Sequence, residues 1–168
     1  MFRTLQNQPS VILIFHNQKL KASQALYQVV EKLTSKAPVA DKVYLDLVTN
    51  QMPTYDQFST IVSNVPTDDS YGQRVLRQAF PLLSDKHSEK GTTHTTIKGA
   101  PQMFNEGEYN IIRDTFDKIE NGAASEVSDP EELFTAPLVV DWDRATIAND
   151  EEGLKKMLSL YEKEEAAK

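Results

Sequence analysis

The side chains that could carry chemistry in this chain are few, and cysteine is not among them. The 168 residues include three histidines and no cysteine. This excludes a disulfide, a thiolate metal site and a cysteine nucleophile. His16 follows an apolar run and could act as a general base. No serine or aspartate stands at a recognisable triad spacing, so we interpret His16 as a histidine at the end of a structural element.

Other polar residues could hold an ion. Lys19 and Lys21 precede the first predicted helix, whose unpaired backbone N–H groups would attract an anion. Asp141 and Asp143 flank Trp142 and could bind a cation or a ligand amine, but acids in such a place more commonly form a solvated strand edge. The histidines lack metal-ligand spacing. We therefore predict neither a metal site nor a cofactor.

The elements that would position a site are clearest around Pro137. Residues 138–142 are apolar and β-branched and predict a strand, and residues 145–148 predict a second strand after a tight turn. Asn149 and Glu152 then form a capping box that opens an amphipathic helix. Proline, strand, turn, strand and helix in this order are the closing unit of the thioredoxin-type fold.

The segment before this hairpin predicts a ligand site. An X-Pro bond has little trans preference, so the Ala136–Pro137 bond can be cis. In thioredoxin-like proteins such a bond exposes the preceding backbone to an extended peptide or glutathione. Thr135-Ala136-Pro137 is similar to the Thr-Val-Pro string of glutaredoxins, with Asn149 and Asp150 near their Gly-Gly-x-Asp position. We predict that these five residues bind a peptide or a glutathione-like small molecule. The alternative is that Pro137 merely starts a strand.

The earlier part of the chain completes this fold. Residues 11–15 are a continuous apolar run, typical of a buried central strand, and residues 43–48 predict a second strand. A helix follows each of them. The order predicts an α/β thioredoxin-like fold, with a central mixed sheet of βαβ and ββα halves and helices on both faces. A long insertion precedes the final hairpin.

We expect one domain over residues 1–168. Its βαβα half spans residues 9–65, an inserted loop and helix occupy residues 66–134, and the ββα half spans residues 135–161. Within the insertion, residues 86–98 are polar without periodicity and predict an exposed loop, and residues 105–121 predict a helix.

The position of a thioredoxin-type dithiol lies between the first strand and the first helix, where the helix N-terminus lowers the pKa of a thiol. Residues 20–23 fall at this position, and they contain no thiol. Ser23 cannot perform a redox step, and we interpret it as the N-cap of the helix.

The charge distribution bears on partners and location. A net charge of −7 argues against nucleic acid as a partner, and no apolar run is long enough for a membrane span. No acidic residue precedes Glu31, while Arg3, Lys19 and Lys21 are basic. This pattern is typical of mitochondrial import signals, although little chain precedes the first predicted strand.

Three strings carry a family resemblance: residues 2–8, residues 52–58, and residues 138–143 with Asn149-Asp150. In these strings the chain resembles a family of fungal mitochondrial proteins described as redox proteins, and the resemblance covers nearly the whole chain. It implies a thioredoxin-like fold distantly similar to arsenate reductase, a mitochondrial location and a role in reducing small toxic molecules.

The resemblance also implies an active cysteine upstream of the Val-Asp-Trp strand. Here that position falls between Tyr109 and Ser128, where no cysteine is present. The oxidoreductase label therefore comes from the family alone. The alternative is a non-catalytic binding module that uses the Ala136–Pro137 edge to hold a ligand. A hydrolase built on His16 is the least favoured hypothesis, and a protein partner is not indicated.

Overall fold

A four-stranded sheet with helices packed against it organises the chain. The computed structural model describes residues 9–37, 39–81, 106–122 and 130–166. Its elements in chain order are β1 (Ser10–His16), α1 (Lys21–Thr34), α2 (Val39–Lys42), β2 (Val43–Thr49), α3 (Tyr55–Asn64), α4 (Ser70–Ala79), α5 (Glu106–Glu120), a 3-10 turn (Pro130–Glu132), β3 (Leu138–Asp141), β4 (Thr146–Ala148) and α6 (Glu151–Ala166).

The strand order in the sheet is β2-β1-β3-β4. β1 is parallel to β2, and it is antiparallel to β3 with Phe15 opposite Leu138. β3 continues into β4 as a hairpin in which Val139 lies opposite Ala148. The late hairpin and the early apolar strand therefore share one sheet, and the predicted thioredoxin-like α/β fold is confirmed.

The central strand β1 is buried on both faces, as its continuous apolar run predicts. Leu13 and Phe15 point to the core formed with α3, α4 and α5, while Ile12 and Ile14 point to the core formed with α1, α2 and α6. Side chains alternate between the faces of a strand, so this one strand supplies both layers.

The hairpin is shorter than the sequence predicts. β3 ends at Asp141, so Trp142 belongs to the turn, and Ala145 takes a positive φ of 56° instead of starting β4. Asn149 is not the cap of α6, because Asp150 Oδ1 accepts the hydrogen bond from the Gly153 N–H at 2.8 Å. Asparagine and aspartate cap about equally well, so the sequence does not separate the two neighbours.

Helix boundaries elsewhere follow local signals. Thr54 and Gln57 form a reciprocal capping box at the start of α3, and Gly122, with a φ of 85°, follows α5. The predicted loop at residues 86–98 and Asn105, the first residue of the predicted helix, lie outside the described residues. None of the helices in the described ranges is both long and apolar enough to cross a bilayer.

Candidate functional site

One edge of the sheet brings the predicted binding residues together. β1 and β2 end at this edge, and β3 begins there because it runs antiparallel to β1. β4 also ends there, since Val139 near the start of β3 pairs with Ala148. Residues 135–137 and 149–150 therefore lie at the edge formed by the carboxyl ends of the parallel strands, where open α/β sheets bind ligands.

Ser23 lies in the segment where a thioredoxin-type dithiol is expected, and it is entirely buried. Its Oγ shares a 2.7 Å hydrogen bond with His16 Nδ1 and accepts one from the Asn17 backbone N–H at 2.9 Å. Leu20, not Ser23, is the N-cap residue of α1, so the predicted cap is wrong. The hydroxyl instead ties the end of β1 to the first turn of α1.

His16 is part of the same buried cluster. Its ring stacks on Tyr27 with centroids 4.9 Å apart, and burial lowers the pKa of its imidazole below the ordinary value of 6.5. The interpretation of His16 as a satisfied histidine at the end of a strand agrees with these contacts. Because Ser23 is inaccessible, the Ser23–His16 pair is a structural contact and not a nucleophile with its base.

The loop after β1 is joined to α5 through a buried carboxylate. The Glu120 side chain is only 5 % exposed and lies 2.9 Å from Lys19 Nζ. Asn17 Nδ2 donates to the other Glu120 oxygen at 3.3 Å. Lys19 is therefore paired with a carboxylate, which removes most of its attraction for an anion.

The predicted binding segment is anchored just before β3. The Thr135 N–H donates to Ala79 O at 2.9 Å, and its Oγ1 donates to Glu131 O at 2.8 Å. Ala136 and Pro137 are buried, and the bond between them is cis. Thr135 thus anchors the segment that leads into β3.

Asn149 and Asp150 direct their side chains to α4 and α6. Asn149 Nδ2 donates to Gln78 Oε1 at 2.7 Å. Asp150 Oδ1 accepts from Tyr71 Oη at 2.9 Å, and the pKa of Tyr71 is raised to about 12, chiefly by burial and next by this hydrogen bond. These two residues reach the predicted edge, but internal contacts occupy their side chains.

A family described as "Protein of unknown function (DUF1687)" matches residues 2–150. The chain belongs to this family. Among solved structures, the chain is similar to an arsenate reductase from Vibrio cholerae at 12% identity and a TM-score of 0.43, over 90% of this chain and 98% of that chain. A search of curated proteins found no match.

In this DUF1687 member, the prediction that Asp141 lies at a solvated strand edge is wrong. Asp141 is fully buried, not part of a solvated edge, and Tyr161 Oη donates to its Oδ2 at 2.6 Å. The backbone N–H groups of Asp143 and Arg144 donate to its Oδ1. Asp141 therefore fixes the hairpin turn against α6.

No group of three acidic or histidine side chains suited to a metal ion occurs within the described ranges.

The five predicted binding residues share one sheet edge, but the sequence did not reveal the buried contacts near it. Ser23 lies seven residues after His16, and Glu120 lies 103 residues after Asn17. The first spacing spans a strand–helix turn and could have suggested a contact once both elements were assigned. The second depends on the placement of α5, for which the sequence carries no local signal.

Proposed function

We propose that this protein is a non-catalytic binding module of thioredoxin-like fold, which holds a peptide or glutathione-like ligand at the Ala136–Pro137 edge. The observation that carries the proposal is the buried Ser23 at the dithiol position, hydrogen-bonded to His16 and to the Asn17 backbone. In this proposal the sheet edge binds a ligand, and a structural hydroxyl stands where the reactive thiol of a thioredoxin-type dithiol would lie.

Backbone pairing is the mode of binding that this edge supports. The β1–β3 ladder ends at the pair Phe15 and Leu138, so the backbone of Ala136 lies beyond its last pair. The Ala136 side chain is a single methyl group, which permits close approach of a ligand backbone. An extended ligand segment can then add main-chain hydrogen bonds at this edge.

The proposal does not include the oxidoreductase activity that the family resemblance implies. Reduction of small molecules by thiol exchange needs a thiolate, and the chain contains no cysteine. We propose that the protein binds the thiol metabolite or peptide without exchanging electrons with it.

A mitochondrial location is proposed on the resemblance and on the acid-poor residues before Glu31, and a fluorescent fusion imaged against a mitochondrial dye tests it.

Calorimetric titration with S-methylglutathione tests binding, because this ligand has no free thiol. The matched control is the same ligand N-methylated at its cysteine amide, which cannot donate the pairing hydrogen bond. We expect the control to bind about tenfold more weakly, the cost of one hydrogen bond lost in a desolvated site. Equal affinities, or no heat at millimolar ligand, would refute backbone pairing. Glutathione-dependent reduction of a disulfide above background would refute the non-catalytic role.

A further inference from the structure

A polar cavity of about 380 Å³ lies between the turn after β2 and the C-terminal half of α5. Residues 49–51 line one side, and α5 with the residue that follows it lines the other side through Arg113, Asp117, Glu120 and Asn121. α5 is attached to the neighbouring loops at two points. Tyr109 Oη donates to Pro53 O at 2.7 Å, and Glu120 pairs with Lys19 in the loop after β1.

The side chain of Arg113 is the main evidence that this cavity binds a ligand. Its Nε is buried without a hydrogen-bond partner, and its guanidinium forms no ion pair with any residue in the described ranges. A buried donor without a partner costs free energy that a bound acceptor would recover. Guanidinium groups bind carboxylates through two parallel hydrogen bonds. A carboxylate in the cavity would therefore satisfy this side chain.

Asp117 gives the cavity a second, opposite charge. It lies four residues after Arg113 and thus on the same face of α5, with Cβ atoms roughly 5–6 Å apart in an ideal helix. The two residues do not form an ion pair with each other, although both line the cavity. Glu120 is paired with Lys19, and neither Arg113 nor Asp117 forms an ion pair with another described residue, so the cavity presents one cation and one anion. This arrangement disfavours a plain anion and favours a molecule that carries both charges.

We propose that this cavity binds the amino-acid head of a small molecule, with the carboxylate on Arg113 and the ammonium on Asp117. The inference rests on the proposed function in one respect, since a glutathione-like ligand carries such a head at its γ-glutamyl end. Asn50 supports the assignment. Its Oδ1 accepts from the Gln18 N–H at 3.0 Å, so its Nδ2 hydrogens remain as donors for a ligand oxygen.

The test is an NMR titration of the full chain with L-glutamate and, separately, with acetate. We expect L-glutamate to shift the Arg113 Nε–H resonance. The Arg113→Met variant should weaken L-glutamate binding at least about tenfold, as expected for a lost charge-assisted hydrogen bond. Asp117→Asn should weaken L-glutamate several-fold but strengthen acetate, because it removes repulsion of the anion. Asp114→Asn, an exposed change on the same helix, is the matched control and should alter neither.

The outcomes separate this inference from the proposed function. Equal binding of acetate and L-glutamate by the wild-type protein, or no L-glutamate response at tens of millimolar, would overturn the amino-acid assignment. An Asp117→Asn variant that binds acetate and L-glutamate more weakly by the same factor would also overturn the amino-acid assignment. If S-methylglutathione shifts Ala136 while L-glutamate leaves Arg113 unchanged, only this inference fails. If L-glutamate shifts Arg113 while S-methylglutathione leaves Ala136 unchanged, only the proposed function fails.

Discussion

Replacement of Ser23 by alanine probes the buried hydroxyl that stands at the dithiol position. Ser23→Ala removes the hydrogen bond to His16 Nδ1 and the one from the Asn17 N–H, at 2.7 and 2.9 Å. Asn17 and His16 are only 5% and 7% exposed, so water does not readily replace the lost partner. Each buried group left without a partner costs about 1–3 kcal/mol. We expect the free energy of unfolding to fall by about 2–3 kcal/mol.

Urea unfolding followed by circular dichroism measures this change. With a denaturant slope of roughly 1–3 kcal/mol per M, the midpoint should fall by about 0.7–3 M. Ser35→Ala is the matched control, since the Ser35 hydroxyl is exposed and donates to the local carbonyl Lys32 O. This control should change stability by less than about 0.5 kcal/mol. A Ser23→Ala variant as stable as the control would refute the structural role of the hydroxyl.

Two further perturbations test other buried groups. Burial lowers the pKa of His16 below 6.5, so the unfolded state binds more protons just below that pH, and stability should decline as the pH falls from 6.5 through the lowered pKa. His16→Gln should flatten this part of the stability–pH curve in urea titrations, and parallel curves would contradict the assignment. Tyr161→Phe should cost about 2 kcal/mol, because the Tyr161 hydroxyl, whose pKa is raised to about 12 chiefly by burial, donates to buried Asp141 at 2.6 Å. Thermal unfolding against the exposed control Tyr44→Phe checks this, and equal losses in both variants would refute it.

The sheet was predictable because its signals are local. The continuous apolar run at residues 11–15 predicts the buried strand β1, and Pro137 marks the start of β3. Residues 43–48 indicate a second strand, and β2 lies at the edge of the sheet with Tyr44 and Leu47 exposed. The hairpin ends were less accurate, because Ala145 adopts a positive φ that alanine rarely takes. Asp141 also departs from the general rule that acidic side chains face water. It is buried and accepts hydrogen bonds from the Tyr161 hydroxyl and from the backbone N–H groups of Asp143 and Arg144.

The site was only partly predictable. The five residues predicted to bind a ligand do share one sheet edge, since strand order and direction follow from the pattern of elements. Other features of the site depend on how distant elements pack. These are the hydrogen bonds of Asn149 and Asp150 to α4, the contact of Ser23 with His16, and the cavity beside Arg113. Such contacts have no periodic signature in the sequence.

The most direct test of the account is a filtered NOE spectrum of the protein saturated with S-methylglutathione. We predict cross-peaks between the ligand and the backbone protons of Ala136, as expected for a ligand segment paired at the start of β3. Cross-peaks confined to residues remote from this edge, such as Tyr44 on β2, would contradict the assignment of the ligand edge and with it the proposed binding role.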